Sequence, residues 1–326
     1  MTLPSTTATV GTDTPIRIGV VGLGWFGTMM AEQFAANPNV RITNVCDRDP
    51  ARSSELAAEY GIASHTDHRA LLDSEALDAV YVAAPPSQHR QIVLDAIDRK
   101  VHVLCEKPLV PTGDDAAQLH AAAVGSGVVT AVNFPLQYAS VGVGWRQRRS
   151  ERFEGSLTCI EILIRCPLWP RPYQNVAWVG SRQEGGPIME IGTHFVQLIR
   201  SLYGELRIVD AHVRWPNDSD RSEQWALARM ELSDGTPVVM RVVCGVGGDE
   251  SVSITCDGEN GSLAMLEWGQ LSEARPGTPF RTSNEFQPSS VIDEFCSVVR
   301  WGHGSIVDFA EAHAVQTVVD GLRQGT

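Results

Sequence analysis

The chain has 326 residues, of which 43% are hydrophobic and 20% are charged, and its formal net charge is −13. A chain of this length can form two domains, and the composition is ordinary for a soluble globular protein. The negative charge argues against nucleic acid and anionic membranes as partners, because both attract basic surfaces. The sequence also lacks any run of about 18 apolar residues, which a membrane span requires.

Cysteine usage and the N-terminus both indicate a cytoplasmic protein. The seven cysteines are scattered, and no two have the C-x-x-C spacing of a metal or redox site. We therefore expect no metal site and no disulfide framework, as is typical of a reducing compartment. Residues 1–14 are rich in threonine and lack the basic and apolar segments of a secretory signal. We expect a disordered tail there.

The first predicted strand runs into a glycine-rich turn. Ile16–Val21 is an apolar, β-branched run, and it continues into Gly22-Leu23-Gly24-Trp25-Phe26-Gly27, a G-x-G-x-x-G. In dinucleotide-binding folds the first glycine permits the turn and the second lets the main chain approach a pyrophosphate. The third lets the next helix, predicted at Trp25–Ala36, pack against the strand. The predicted cofactor contacts here are Gly22, Gly24, Trp25, Phe26 and Gly27.

An acidic residue ends the second predicted strand, Val40–Asp47. Asp47 stands where the dinucleotide fingerprint places an acid that binds the adenosine ribose hydroxyls of NAD. A carboxylate there repels the 2′-phosphate of NADP, whereas the adjacent Arg48 could bind that phosphate. We predict that NAD is preferred, with NADP as the alternative.

Helices and buried strands alternate through the rest of the first half. This order predicts a doubly wound parallel sheet with right-handed crossovers, that is, a Rossmann domain. Ligands of such sheets bind at the carboxyl ends of the strands, where Gly22, Asp47, Pro85 and Lys107 lie. The predicted elements are helix Pro50–Tyr60 closed by Gly61, strand Asp78–Ala84, a helix capped by Ser87, strand His102–Cys105, helix Gly113–Gly125 and strand Val128–Phe134.

Four motifs together resemble one family. They are the glycine motif, Asp47, the segment Ala84-Pro85-Pro86-Ser87-Gln88-His89, and Glu106-Lys107-Pro108 at a strand end. With these residues the chain resembles the Gfo/Idh/MocA oxidoreductases, of which Glu-Lys-Pro is the most specific signature. The resemblance implies a dinucleotide-binding domain, which we place at residues 15–134.

The resemblance also implies roles for these residues. Lys107 would stabilise the alkoxide of the substrate, and the Lys107–Pro108 bond, often cis in the family, would aim it. His89 resembles the cofactor-side histidine of the family, although a helix-capping role is the alternative. The implied cofactor contacts beyond the glycine motif are Asp47, Arg48, Ala84, Pro85, His89, Glu106 and Lys107.

Residues 135–326 contain successive predicted hairpins. Turn signals at Asp234-Gly235 and Asn260-Gly261 predict a large, mainly antiparallel sheet with one open face. The resemblance implies a substrate-binding α/β domain that forms a homodimer or homotetramer through this face. A last helix, at 308–324, is expected to pack back on the body. The predicted strands are Ser156–Cys166, Val209–Trp215, Trp225–Leu232, Val238–Cys244, Ser251–Cys256 and Ser262–Leu266.

The second half contains one candidate catalytic helix, Gly185–His194. It matches the family pattern Gly-Gly-x-x-x-Asp-x-Gly-x-His at the glycines and at His194, but it has Glu190 where aspartate is usual. Glu190 and His194 are four residues apart, so both project from one face of a helix, away from its apolar stripe. By resemblance, His194 moves the proton and acts with Lys107. Glu190 either completes the catalytic set or orients its neighbours.

A proline-rich aromatic segment follows the first strand of this half. Cys166–Tyr173 and then Trp178 could form the wall of a sugar pocket, or a structural loop stiffened by proline. Leu136-Gln137-Tyr138 stands where the family often has arginine, which weakens the case for a phosphorylated substrate. The predicted substrate contacts are Lys107, Tyr138, Trp169, Arg171, Trp178, Glu190 and His194.

The sequence therefore predicts a nicotinamide-dependent oxidoreductase. It would transfer a hydride between NAD(P) and a carbinol or ketone carbon of a sugar, cyclitol or related polyol. Two alternatives stay open: reduction of a natural-product ketone or imine, and a cofactor-sensing protein without activity. Retention of both Lys107 and His194 argues against the sensor.

Overall fold

A computed structural model describes residues 14–74, 77–174 and 176–325. The tail predicted at residues 1–14 lies outside this description except for Thr14, whose carbonyl accepts a hydrogen bond from Arg300 at 2.8 Å. The chain forms two compact units. The first contains the residues up to Asn133 together with Ser290–His313, and the second contains Phe134–Ser289 and the residues from Ala314 onward.

The first unit is built on a parallel six-stranded sheet in the order β3-β2-β1-β4-β5-β6, as expected of a Rossmann fold. All residues of β4 and most of β1 and β5 are buried, because helices cover both faces of such a sheet. The strands are β1 (Ile16–Val21), β2 (Val40–Cys46), β3 (Ala63–His65), β4 (Ala79–Val82), β5 (His102–Glu106) and β6 (Thr130–Asn133).

Five helices connect these strands, and a sixth belongs to the same unit. Helix bounds follow the caps: Asp49 accepts a hydrogen bond from Ala51 N at the start of α2, and Gly61 ends it in the left-handed conformation. The helices are α1 (Trp25–Ala36), α2 (Pro50–Tyr60), α3 (His68–Leu72), α4 (Pro86–Asp98), α5 (Gly113–Ala123) and, further along the chain, Val291–Trp301.

The second unit contains an eight-stranded sheet in the order β14-β13-β12-β11-β7-β10-β9-β8. Its neighbouring strands are antiparallel except for β7 and β10, which are parallel. The strands are β7 (Leu157–Cys166), β8 (Leu206–Arg214), β9 (Trp225–Leu232), β10 (Pro237–Cys244), β11 (Ser251–Gly258), β12 (Ser262–Met265), β13 (Ser272–Ala274) and β14 (Arg281–Thr282).

One face of this sheet is buried and the other is open. The buried face carries Ile160, Ile162 and Ile164 of β7 and their neighbours, whereas Leu227 of β9 and Val239 of β10 are 40% and 36% exposed.

The remaining helical elements are α6 (Pro135–Tyr138), α7 (Ser140–Ser150), a 3-10 turn (Ala177–Gly180), a π-helical turn (Ile188–Gly192), α8 (Thr193–Tyr203), α9 (Val291–Trp301, in the first unit) and α10 (Phe309–Gln324). Within the described ranges no helix is both long and apolar enough to cross a membrane.

Several features differ from the sequence-based expectation. The helix after β4 begins at Pro86 and has no side-chain cap, so the prediction that Ser87 caps it is wrong. The candidate catalytic helix is not a single α-helix, because the π-helical turn precedes α8. Helix α7 was not predicted, because Gly142 and Gly144 weaken its pattern. A Cβ at Gly142 would lie 2.1 Å from Leu136 O, which explains the glycine by close packing.

A buried carboxylate holds the start of the helical segment that carries Glu190 and His194. Glu223 is 1% exposed and accepts a hydrogen bond from Ile188 N at 2.9 Å. Arg323 of α10 lies 3.4 Å from its other oxygen and donates a hydrogen bond to Arg182 O at 2.6 Å. Glu223 therefore fixes the first N–H group of the π-helical turn and neutralises a buried arginine.

We expect Glu223→Ala to lower the stability of the second unit by about 3 kcal/mol, because it leaves Arg323 buried without its carboxylate. Glu223→Gln keeps an acceptor for Ile188 N and should cost less. The measurement is urea unfolding followed by circular dichroism. Glu231→Ala is the matched control, since it breaks the exposed pair with Arg207 and should cost less than about 1 kcal/mol. Equal midpoints for Glu223→Ala and Glu231→Ala would contradict this role.

Candidate active site

The glycine-rich turn between β1 and α1 leaves open space beside its main chain. Gly22 has a φ of +92°, and a Cβ there would lie 2.6 Å from backbone atoms of Ala83. A Cβ at Gly27 would lie 1.8 Å from Gly22 O, so both positions need glycine for internal reasons. A Cβ at Gly24 would meet nothing within 4 Å. Gly24 therefore leaves room for a group from outside the chain.

The N-terminus of α1 beside this space can bind an anion. The helix has no side-chain cap at Gly24 and no acidic residue in its first turn. Its first N–H groups have no acceptor within the helix, and the helix dipole adds positive potential. Trp25 and Phe26 are 72% and 43% exposed and contact each other edge to face, with ring centroids 4.7 Å apart. This end of the sheet fits the pyrophosphate of a dinucleotide.

Asp47 lies at the carboxyl end of β2 and is tied to the same turn. Its carboxylate accepts hydrogen bonds from Leu23 N at 2.7 Å and from Asp49 N at 2.9 Å. These bonds fix the orientation of a half-buried carboxylate whose remaining lone pairs can accept ribose hydroxyls. Arg48 is exposed next to it. The structure thus brings the glycine motif and Asp47 together, as the fingerprint requires.

His89 connects two strand-end loops through main-chain oxygens. It is 1% exposed, and its ring nitrogens lie 3.0 Å from Leu109 O and 2.6 Å from Ala84 O. Ala84 and Pro85 follow β4, whereas Leu109 lies two residues beyond Lys107. The buried imidazole therefore fixes the loops after β4 and β5 relative to each other.

Lys107 follows a buried carboxylate at the end of β5. Glu106 is 6% exposed and accepts hydrogen bonds from Tyr81 of β4 and, at 2.7 Å, from Asn133 of β6. Burial raises the pKa of the Glu106 carboxyl, and these donors and the Lys107 ammonium oppose that rise. Lys107 is 9% exposed, and the Lys107–Pro108 bond is cis, as the family resemblance implies. The protein donors to Glu106 indicate that it holds the strand end that presents Lys107.

Glu190 and His194 lie together in the second unit. Glu190 is in the π-helical turn and is 6% exposed, and His194 is in the first turn of α8 and is 5% exposed. The helix is buried on all sides there, since Met189, Thr193 and Val196 are at most 1% exposed. A helix in a protein core rarely carries two buried ionisable side chains four residues apart. π-Helical turns are themselves frequent at functional sites.

Aromatic rings contact His194 from two directions. Phe134, which is 2% exposed, meets the imidazole edge to face with ring centroids 6.3 Å apart. Trp268 meets it at 5.6 Å and 86°, and it also contacts Phe195 at 6.2 Å. Sequence reasoning missed Trp268, because it lies in a short turn after β12 and matches no motif. Its contact with a histidine 74 positions earlier is visible only in the fold.

The other predicted substrate residues of the second unit lie in different elements. Tyr138 is buried at the end of α6, and Trp178 lies in the 3-10 turn. Trp169 lines a cleft with Pro216 and Cys244, and that cleft includes neither Glu190 nor His194. The Arg171 guanidinium lies 3.0 Å from the carboxylate of Glu250. Trp169 therefore lines a cleft of its own, and Arg171 has a protein partner.

No group of three or more histidine, cysteine, aspartate or glutamate side chains could hold a metal ion in the ranges that the structure describes. All seven cysteines are free thiols.

Comparison with known proteins places both halves in one family. Residues 16–134 match a family model described as an oxidoreductase family with an NAD-binding Rossmann fold, and residues 151–264 match the GFO/IDH/MocA C-terminal domain. A solved structure of levoglucosan dehydrogenase in complex with NADH superposes with a TM-score of 0.83 at 19% identity, covering 95% of this chain and 96% of that one. This likeness concerns the fold.

Two curated relatives add sequence similarity. The 2,7-anhydro-N-acetylneuraminate hydratase of Escherichia coli K12 is 26% identical over 259 residues, which are 78% of this chain but 62% of that protein. The chain thus matches less than two thirds of that relative's length. The dTDP-3,4-didehydro-2,6-dideoxy-alpha-D-glucose 3-reductase of Streptomyces violaceoruber is 28% identical over 252 residues, 77% of this chain and 72% of that protein. The chain belongs to the Gfo/Idh/MocA family of oxidoreductases, whose N-terminal domain is an NAD-binding Rossmann fold.

Proposed function

We propose that this protein is an NAD(P)-dependent oxidoreductase that interconverts a carbinol and a ketone on a sugar or related polyol, with Lys107 and His194 as its catalytic pair. The observation that carries the proposal is the placement of buried Glu190 and His194 on one helical segment, in a chain whose other unit is an NAD-binding Rossmann fold. Sugar-ketone reduction by the Streptomyces relative supports the substrate class.

The reaction needs a hydride carrier and two groups of the protein, one that moves a proton and one that stabilises charge on the substrate oxygen. Oxidation of a carbinol removes a hydride from carbon and a proton from oxygen, and reduction of the ketone reverses both. When bound, the nicotinamide supplies or accepts the hydride. His194 takes the hydroxyl proton in the oxidation and returns it in the reduction. The Lys107 ammonium donates a hydrogen bond to the substrate oxygen and stabilises the charge that develops there.

Lys107 is well suited to this role. The chain contains 26 basic residues, of which only Lys100 and Lys107 are lysines. Lys100 is exposed, whereas Lys107 is buried at a strand end where Rossmann folds bind ligands. A compact ammonium in a low-dielectric site stabilises an oxyanion more strongly than an exposed one does. We assign Glu190 to the orientation of the substrate hydroxyls and of His194, since glutamate keeps the carboxylate and adds a methylene of reach.

Asp47 supports a preference for NAD. Its carboxylate is half-buried and fixed by Leu23 N and Asp49 N, so it cannot swing away from a 2′-phosphate without breaking those hydrogen bonds. Arg48 is exposed and pays side-chain entropy to hold a phosphate. Repulsion from the fixed carboxylate should therefore outweigh attraction to the mobile guanidinium.

The open face of the eight-stranded sheet supports a homo-oligomer. Leu227 and Val239 are exposed on the adjacent strands β9 and β10, and each is paired in register with an arginine, Arg241 and Arg229 respectively. A second copy of the chain would cover these apolar side chains. The proposal is a dimer or tetramer formed through this face.

We expect Lys107→Ala and His194→Ala each to lower kcat about 10²- to 10⁴-fold, because each removes one acid/base or oxyanion-stabilising group. Cofactor binding should persist, since the glycine turn and Asp47 are unchanged. The measurements are steady-state turnover on a panel of sugars and polyols, followed at the absorbance of the reduced nicotinamide, and titration of the cofactor by fluorescence.

The matched controls are Lys100→Ala and His303→Ala, which alter the only other lysine and an exposed histidine just after α9. Both should keep wild-type turnover. Near-normal turnover in Lys107→Ala or His194→Ala would remove that residue from the mechanism. An inactive wild type that still binds cofactor would favour the cofactor-sensing alternative.

We expect Asp47→Ser to lower the ratio of kcat/KM for NAD to that for NADP by about tenfold or more, since one charge contact of about 1.4 kcal/mol corresponds to tenfold. The ratio is the informative quantity, because loss of the bond to Leu23 N weakens both cofactors alike. Arg48→Ala should shift the ratio in the opposite direction. Gly24→Val, whose methyls enter the open space, should abolish binding of both cofactors. A wild-type preference for NADP would overturn the assignment of Asp47.

We expect sedimentation equilibrium at micromolar concentration to show a species of at least twice the 35.4 kDa chain mass. Leu227→Glu combined with Val239→Glu should shift the protein toward monomer, because it places two carboxylates in the buried interface. Lys100→Ala, which alters an exposed residue of the first unit, is the control. A wild type that sediments only as a monomer would refute the proposed interface.

A further inference from the structure

Trp268 is a large aromatic residue that is half exposed beside a buried histidine. It lies between β12 and β13 and is 49% exposed, although its ring contacts His194 at 5.6 Å and Phe195 at 6.2 Å. His194 itself is 5% exposed. The indole thus has one edge in the core of the second unit and the rest of its surface open to a ligand.

Hydrogen bonds fix the main chain of the turn that carries Trp268. Gly269 O accepts a bond from Val141 N at 3.0 Å, which ties the turn to the start of α7. Gln270 N donates to Glu267 O at 3.1 Å, and Gly269 N lies 3.4 Å from the Met265 sulfur. The indole is therefore presented from a rigid support rather than from a mobile loop, and such preorganisation lowers the entropy cost of binding.

The other exposed tryptophans lack this placement. Trp301, at 52% exposure, lies at the end of α9 and contacts His303 and Arg300. Trp25, at 72% exposure, lies at the glycine-rich turn. Within the described residues of the second unit, Trp268 is the exposed large aromatic side chain that contacts the candidate catalytic histidine.

We propose that Trp268 is a specificity-determining residue that contacts the substrate and stacks on the apolar face of its sugar ring. This inference rests on the proposed function. A pyranose ring presents C–H groups on its faces and hydroxyls at its edge, and the negative face of an indole attracts those C–H groups. Because Trp268 touches His194, a ring stacked there brings its hydroxyls to the imidazole.

The arrangement favours ring substrates over open-chain ones. A flat indole gains contact area only from a ligand with a continuous apolar face, which a cyclic sugar or cyclitol has and a flexible linear polyol lacks. A linear polyol would also lose rotational freedom on binding. We expect the protein to prefer cyclic polyols over linear ones of the same carbon number, and this preference should depend on Trp268.

The kinetic test compares Trp268→Leu, Trp268→Phe and the matched control Trp301→Leu. Trp268→Leu should raise KM for the best cyclic substrate about tenfold and change kcat by less than about threefold, because stacking on an unreactive ring face stabilises ground state and transition state alike. Trp268→Phe keeps a ring face and should recover most of the loss. Trp301→Leu should match the wild type, and near-UV circular dichroism checks that each variant is folded.

Saturation-transfer NMR gives a readout that does not depend on turnover. The alcohol form of the best cyclic substrate is mixed with the protein and reduced cofactor, a combination that cannot react. In the wild type, transfer should be strongest to ring C–H protons of one face, and Trp268→Leu should remove that bias. A fall in kcat alone, with the bias kept, would overturn the stacking role and make Trp268 a support for His194.

The two proposals fail in different ways. If the wild type oxidises or reduces no sugar or cyclitol with either cofactor, the proposed function fails. If the wild type is active but Trp268→Leu keeps its KM, its NMR bias and its preference for cyclic polyols, the proposed function stands and the role of Trp268 is wrong.

Discussion

Burying a carboxylate is costly unless donors surround it, and this constraint shapes both units. In the first unit, Glu106 lies at the end of β5 and takes hydrogen bonds from the strands on either side, through Tyr81 and Asn133. In the second unit, Glu223 takes a hydrogen bond from Ile188 N and pairs with Arg323. Each carboxylate fixes main chain next to a proposed catalytic residue. The scaffold therefore positions the reactive groups through buried charge as well as through apolar packing.

Short-range sequence patterns were sufficient to predict most of the strands and helices of the first unit. The buried strands are continuous apolar runs, and α1 and α2 begin and end where glycine and proline predicted. Helix α9 was missed although Ser290 caps it and Val291, Ile292, Phe295 and Cys296 form its buried face, so that pattern was available. Helix α7 could not be predicted from such a pattern. Its glycines oppose helix formation and are explained by the close approach of other segments.

The sequence was sufficient to predict the residues of the candidate site, but not the residues that hold them in place. Glycine motifs, Glu-Lys-Pro and the spacing of Glu190 and His194 are short-range patterns. Glu223 lies 35 residues from Ile188 and 100 from Arg323, and neither spacing has a sequence signature. The same holds for Trp268 beside His194. A motif thus identifies which groups can react, whereas the contacts that orient them arise from the register of a sheet and the course of a turn.

The surroundings of His194 explain why a cyclic substrate would suit this chain. Phe134 closes one side of the imidazole from within the core, and Trp268 forms an open side that a ligand can cover. A sugar ring on the indole would displace water next to the histidine, and the lower local dielectric would strengthen the hydrogen bond between the imidazole and the substrate hydroxyl. A linear polyol would leave part of the indole wet. The proposed shape selection by Trp268 and the proposed proton transfer by His194 would therefore depend on the same event, the exclusion of water by the ring.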